Sequence, residues 1–300
     1  MSLLLINYIV NNYNAFKELK QFNIYYLLII FILYTLSMFF ASIKDVLIVR
    51  KLSNKRLKLF NYFQIFVKAR LLTKFVPQSG NVYNAIELKK SYSIDYNYTI
   101  ITLIINLISN NVFNIAILLL IIQMFYPDYI IGEFILRDII LIIFMIMLFI
   151  IFISYYILKK VKLYTKIDYK KYYNNIILLF RDNKLIAKLF STNFVALVFA
   201  TLAKYFILMA VGIKISFILL IILGIIDGLL IFANFTPGNI GIIEFTYAYV
   251  FEISGFSYSE GIVLALYFRI IAISSLCIYY FIIQMKTFIQ RPTLTVIQNI

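Results

Sequence analysis

The chain has 300 residues, 63% of them hydrophobic and only 14% charged, and its mean hydropathy of +0.94 lies far above that of a soluble globular domain. It carries 28 Lys and Arg against 13 Asp and Glu, no histidine, and Cys277 as its one cysteine. Disulfide frameworks, cysteine-rich zinc sites and histidine-based acid/base or nucleophilic chemistry are therefore excluded within this chain. What remains is an integral membrane protein. The abundance of Ile, Asn, Lys and Tyr without Trp follows a bias for AT-rich codons, so an isolated Asn or Tyr carries little functional weight.

The opening MSLLLINYIVNNYNAFKELK has no basic region before its short apolar run and no small-residue cleavage site after it. It does not read as a removable signal peptide, and the first membrane helix is expected to target the chain. A helix needs about 20 apolar residues to cross the hydrocarbon, and the uncharged run Ile24–Ile43 is the clearest first span. Residues 44–58 then carry six basic residues and one acid. Leu59–Val76 is apolar but interrupted by Lys68, Arg70 and Lys74, each costing about 2.5–3.5 kcal/mol if central in lipid. A partial insertion returning to its own side is the cheaper reading. Tyr96–Tyr126 and Ile139–Leu158 are further spans, separated by the short acidic PDYIIGE, which suits an external loop.

Residues 159–188 form the second basic stretch, with nine basic residues and two acids. By the positive-inside rule 44–58 and 159–188 both face the cytoplasm at a cell membrane, which accounts for the formal charge of +15 without a nucleic-acid partner. A specific anionic-lipid surface is the alternative use of these lysines. Three more candidate spans, near 190–211, 215–234 and 261–285, each contain one ionisable residue: Lys204, Asp227 and Arg269. Such residues are usually paired and turned inward, where they either fix packing or mark a pathway.

Two Pro/Gly breaks punctuate this pattern. In NFTPGNIGIIEF, Pro237 cannot donate a hydrogen bond, and Gly238 and Gly241 permit backbone angles that other residues resist. Irregular backbone at membrane depth must be covered by protein or line a polar cavity, and the residues that follow form a helix too short to span, ending near Gly255. KFVPQSGNVYNAIELKKSYSIDYNYTIITL repeats the order of NFTPGNIGIIEFTYAYVFEISGFSYSEGIVLAL: a proline, a glycine three or four residues later, a short helix, a turn, and a long apolar helix. The expected architecture is an all-α, polytopic helical bundle of about six full spans plus two broken re-entrant segments forming a weak internal repeat. It is one domain over 1–300, with repeats over about 59–126 and 215–285.

A helix beginning inside the membrane presents free N–H groups and the positive end of its dipole, which suits a lipid phosphate. The candidate phosphate-binding residues are Pro77, Gly80 and Asn81 at the first break, and Pro237, Gly238, Asn239, Gly241, Glu244 and Arg269 at the second. Glu244 either caps its own helix or faces the cavity, where it could engage a cationic headgroup or Arg269. Arg269 could equally contact Asp227, which lies ten residues before Pro237 and about 15 Å along a helix.

FTPGNIGIIEFTYAYVFEISGFSYSEGIVLALYFRI resembles the C-terminal signature of the lysylphosphatidylglycerol synthase transmembrane region, the flippase-like domain family. The matching residues are Pro237, Gly238, Gly241, Glu244, Gly255, Ser257 and Arg269. FVPQSGNVYNA resembles the family's first signature through Pro77 and Gly80, but has Gln78 where glycine is usual and Asn106 where an arginine is expected. The resemblance implies movement of an anionic, aminoacylated or sugar-linked lipid between leaflets. The family's larger members add a soluble lysyltransferase domain; with about fifteen residues after the last span, no lysyltransferase activity is expected.

No phosphate-binding loop of the G-x-x-x-x-G-K-(S/T) type is present, and no enzyme activity, cofactor or metal is expected. Membrane lipids are the expected partners, with a glycosyltransferase or an aminoacyl-lipid synthase as a possible protein partner. The competing readings are a secondary transporter of a small anionic solute, a membrane-embedded transferase using Asp227 or Glu244 as a base, and a non-catalytic assembly partner of a lipid-linked glycosyltransferase.

Overall fold

The computed structural model describes residues 23–125, 130–131, 134–135, 179, 181–233 and 236–289. The span expected at 139–158, most of the basic stretch 159–188 and the N-terminal twenty residues lie outside them. The described residues form eight α-helices: α1 (Tyr26–Ser53), α2 (Leu59–Phe75), α3 (Ser79–Tyr92), α4 (Tyr96–Phe125), α5 (Asn183–Val211), α6 (Phe217–Ala233), α7 (Ile242–Ile253) and α8 (Tyr258–Ile289). A two-residue antiparallel ladder pairs β1 (Ile130–Ile131) with β2 (Phe134–Ile135).

Four described helices are long and apolar enough to cross a membrane: Tyr26–Ser53, Tyr96–Phe125, Asn183–Val211 and Tyr258–Met285. The run expected at 215–234 is helical over Phe217–Ala233, a 17-residue helix, α6, of the same length as α2. Each short apolar helix thus precedes a break and a shorter partner. In chain order the helices α1 to α4 have 28, 17, 14 and 30 residues. Helices α5 to α8 have 29, 17, 12 and 32.

The stops between helices are written locally. The Ser93 N–H, at φ 51°, donates to the Leu88 and Lys89 carbonyls, and the Ile94 N–H to Leu88, while Ile94 and Leu88 are both buried. After α7 the Phe256 N–H donates to the Phe251 carbonyl and the two rings lie 5.4 Å apart. Ser257 and Glu260 then start α8 reciprocally: the Ser257 N–H donates to Glu260 at 2.9 Å and the Glu260 N–H to the Ser257 hydroxyl at 3.3 Å.

α1 and α5 run antiparallel along one another. Tyr26 meets Phe206, the Ser37 hydroxyl donates to the Ala196 carbonyl, Phe40 stacks on Phe199, and Lys51 pairs with Asp182. That last contact brings Lys51, in the first basic stretch, against Asp182, in the described part of the second. Residues 44–53 of the stretch expected to face the cytoplasm continue α1, with Lys44 buried inside the molecule. The cross-packing is reciprocal: α8 lies against α2 through Leu276 and Ile283, and α4 against α6 through Ile115, Leu118, Ile122 and Ile225. Apolar side chains such as Ile29, Ile104, Leu120, Phe194, Ile270 and Phe281 face outward, whereas Lys44, Asn84, Asn193, Asn239 and Glu244 are buried. That distribution fits a hydrocarbon surround.

Candidate functional site where two broken helices meet

The first break is a hairpin tip. α2 ends at Phe75, the Val76 N–H donates to the Leu72 carbonyl, and Gln78 takes φ 62° before α3 starts at Ser79. Gly80 does not supply the bend expected of it. It lies buried in the first turn of α3, where a Cβ would strike the Ala69 carbonyl oxygen and the Thr73 hydroxyl, so its lack of a side chain sets how closely α3 folds back on α2. Pro77 lies in the connecting turn, and the Asn81 amide donates to Gln78 Oε1 at 2.6 Å.

At the second break Pro237–Asn239 makes a 3-10 turn, with positive φ at Gly238 (57°), Asn239 (56°) and Gly241 (88°). Asn239 is buried, and its Nδ2 donates to the Leu230 carbonyl of α6 at 2.9 Å, covering one acceptor that the end of α6 leaves open. Arg269 of α8 donates from Nη1 to the Gly238 carbonyl at 3.0 Å and from Nη2 to that of Asn239 at 3.4 Å. The same Nη2 lies 2.6 Å from Glu244 Oε1. Glu244 is fully buried, and its Oε2 accepts the Gly241 N–H at 2.7 Å. Glu244 is therefore both the cap of α7 and the partner of Arg269, while Asp227 pairs elsewhere. A carboxylate already occupies the α7 N-terminus, so the free N–H groups expected there for a phosphate are spoken for at Gly241.

One layer away, Lys204 of α5 pairs with Asp227 of α6 and donates to the Tyr247 hydroxyl at 2.9 Å; that hydroxyl donates to Asp227 at 2.7 Å. The Lys204 ammonium also lies 5.6 and 5.5 Å from the ring centroids of Tyr247 and Phe268. Phe268 and Arg269, adjacent on α8, thus serve the two layers.

The first half of the chain builds a polar cluster that reading the sequence missed. Asp45 accepts from the Tyr62 hydroxyl at 3.0 Å and from the Asn106 amide, and Asn84 donates to Tyr62 at 3.0 Å. The buried Lys44 ammonium donates to the carbonyl oxygens of Asn110 and, at 3.0 Å, Asn193. Asn106, where an arginine was expected, thus serves Asp45 of α1. The available signal was spacing: Asn106, Asn110 and Asn114 recur every four residues along an uncharged helix, marking one face.

The two breaks come together. A Cβ on Gly238 would lie 3.3 Å from the Lys74 carbonyl oxygen and 3.6 Å from Lys74 Cδ, so the end of α2 rests directly on the second break. One turn back on the same face of α2, Arg70 is exposed, with its guanidinium carbon 4.9 Å from the Phe66 ring centroid. Lys74 lies within electrostatic reach of both Arg70 and Arg269, with Asp227 and Glu244 its neighbouring acids. No group of three or more metal-ligating Cys, Asp or Glu side chains occurs among the described residues.

Long apolar helices, a polar interior and paired breaks at their meeting point define a helical membrane protein built around interrupted helices. The chain matches the family described as the lysylphosphatidylglycerol synthase TM region over residues 2–278 and belongs to that family. No curated protein and no solved structure matches the chain.

Proposed function

We propose that this protein moves a lipid with an anionic headgroup, aminoacylated or sugar-linked lipids included, between membrane leaflets through the place where the two breaks meet. The observation that carries this reading is the contact of Lys74 with Gly238, which gathers Arg70, Lys74 and Arg269 where both helix ladders are interrupted. Interrupted helices in corresponding positions are the usual mark of a transporter's binding site. The matched helix lengths, the antiparallel α1–α5 pair and the reciprocal α8–α2 and α4–α6 contacts support an inverted internal repeat whose halves meet at that site. Because Glu244 holds the Gly241 N–H, the headgroup is held by cationic side chains rather than by the α7 N-terminus.

We further place the protein in the cell membrane with the two basic stretches, 44–58 from Arg50 onward and 159–188, facing the cytoplasm, a reading supported by the Lys51–Asp182 pair between them. An enzyme making the lipid, an aminoacyl-lipid synthase or a lipid-linked glycosyltransferase, would supply the cargo as a partner. The test is reconstitution in liposomes with head-labelled lipids and loss of the label protected in the inner leaflet. Acceleration by the native chain, slowed about tenfold or more by Arg70→Gln or Lys74→Gln in folded protein, is expected, each removing a charged hydrogen-bond donor. Acceleration that both substitutions leave intact overturns the site. Uptake of a small anionic solute with no lipid movement overturns the lipid in favour of the solute.

A further inference from the structure

The acids near the junction are already committed. Asp227 is paired with Lys204, and Glu244 with Arg269 and the Gly241 N–H. Asp45, the remaining carboxylate within reach of Arg70, lies beside Lys44 and accepts from Tyr62 and Asn106. Two cations are left over. Neither Arg70 nor Lys74 forms an ion pair with a carboxylate among the described residues. Both are on α2 one turn apart, a spacing that puts their Cβ atoms about 5–6 Å from each other on one face. Phe66 flanks the guanidinium of Arg70, and the second break flanks Lys74.

We infer that the headgroup held here carries two negative charges on adjacent or single phosphoryl groups, a diphosphate or a phosphomonoester, gripped by Arg70 and Lys74 together. This rests on the lipid reading proposed above and narrows it. A singly charged phosphodiester would offset one cation and leave the other uncompensated beside a like charge four residues away, a destabilising arrangement. A phosphomonoester carries close to two charges near neutral pH and three acceptor oxygens, enough to accept from the planar guanidinium fork and from the ammonium at once. In this scheme Arg269 is a positioning residue: its guanidinium is taken up by Gly238, Asn239 and Glu244, so it holds the shape of the second break on which Lys74 rests.

The experiment measures binding of phosphatidic acid and phosphatidylglycerol with identical acyl chains to the purified full chain by native mass spectrometry, with inorganic pyrophosphate as competitor. Native protein is expected to prefer phosphatidic acid by about tenfold or more, the factor that one uncompensated charge readily produces. Arg70→Gln and Lys74→Gln should each reduce that preference to about twofold or less. Arg70→Lys, which keeps the charge, should retain most of it, and the exposed Lys188→Gln should change nothing. Retained helical signal and an unchanged unfolding midpoint separate lost binding from lost fold.

Equal binding of the two lipids by native protein overturns the doubly charged headgroup and leaves the lipid reading standing. A preference for phosphatidic acid that survives both glutamine substitutions overturns the assignment to Arg70 and Lys74. Pyrophosphate binding with no lipid binding supports the charge pair and overturns the lipid source. No binding of either lipid or of pyrophosphate overturns both proposals.

Discussion

Removing the two partners of the Arg269–Glu244 pair one at a time should have unequal effects. Arg269→Gln strands a carboxylate with 0% of its side chain exposed, leaving the Gly241 N–H as its described partner. It also strips two donors from the Gly238 and Asn239 carbonyls. Breaking a buried pair in this way costs about 3–5 kcal/mol. Glu244→Gln keeps an acceptor for the Gly241 N–H and leaves Arg269, with 14% of its side chain exposed, bonded to both carbonyls. Its expected cost is about 1–3 kcal/mol. The double substitution should cost well under the sum, since the stranded carboxylate is gone. Steric trapping or denaturant unfolding in bicelles measures all three. If Arg269→Gln costs only about 0.6 kcal/mol, the average of an interhelical hydrogen bond in a membrane, or no more than Glu244→Gln, the pair does not hold the break and the reasoning fails.

Gly80→Ala should destabilise the α2–α3 hairpin by about 1–3 kcal/mol, the overpacking range, because its Cβ meets the Ala69 backbone carbonyl as well as Thr73; Thr73→Ala in the same background should restore little, as unfolding midpoints would show. Asn193→Ala removes the Lys44 acceptor that lies at 3.0 Å and should cost about 1–3 kcal/mol by the same assay; no measurable cost would mean that water supplies the acceptor. The Lys51 ammonium, together with the Leu185 N–H, holds the Asp182 carboxyl below its ordinary value of 3.8. A lowered pKa in the folded state means that its contribution is complete above about pH 4 and is lost as pH falls through the folded value, so hydrogen exchange at the Leu185 amide should quicken only below about pH 4, and Lys51→Ala should weaken that dependence. In a Cys277→Ser background, Lys55→Cys should react with an impermeant maleimide only from the cytoplasmic side; labelling from outside cells reverses the proposed orientation.

How much of this was legible in the sequence follows from which interactions are local. Breaks are local: Pro237 with Gly238 and Gly241 states an interruption in five consecutive residues, and the turn at 255–257 states where α8 begins. Pairings across the bundle are not. Nothing in the spacing of Lys44 and Asp45 separates a cytoplasmic loop from the last turns of a buried helix, because the decision belongs to Asn106, Asn110 and Asn193 far along the chain. Those asparagines were discounted as products of codon bias, which governs how often a residue occurs and says nothing about where it is placed. The length of α6 is a similar case: its 17 residues are near the crossing length, and the matching 17 residues of α2 become visible only in the structure.

The two halves share a framework yet differ in charge, and that difference carries functional meaning. At the second break α8 supplies Arg269, and Glu244 answers it, closing the irregular backbone over itself. At the corresponding point of α4 stands Asn106, bonded to Asp45, while Arg70 and Lys74 have no carboxylate partner among the described residues. A strictly symmetric molecule would satisfy both breaks internally and leave no unmatched charge where they meet. Here the second half uses its ions to hold shape, and the first half keeps two cations unmatched among the described residues, resting one of them on the backbone that the second half has fixed. Like charges four residues apart on a helix repel one another unless an anion completes them, so the asymmetry between the halves is itself the physical reason to propose an anion at their junction.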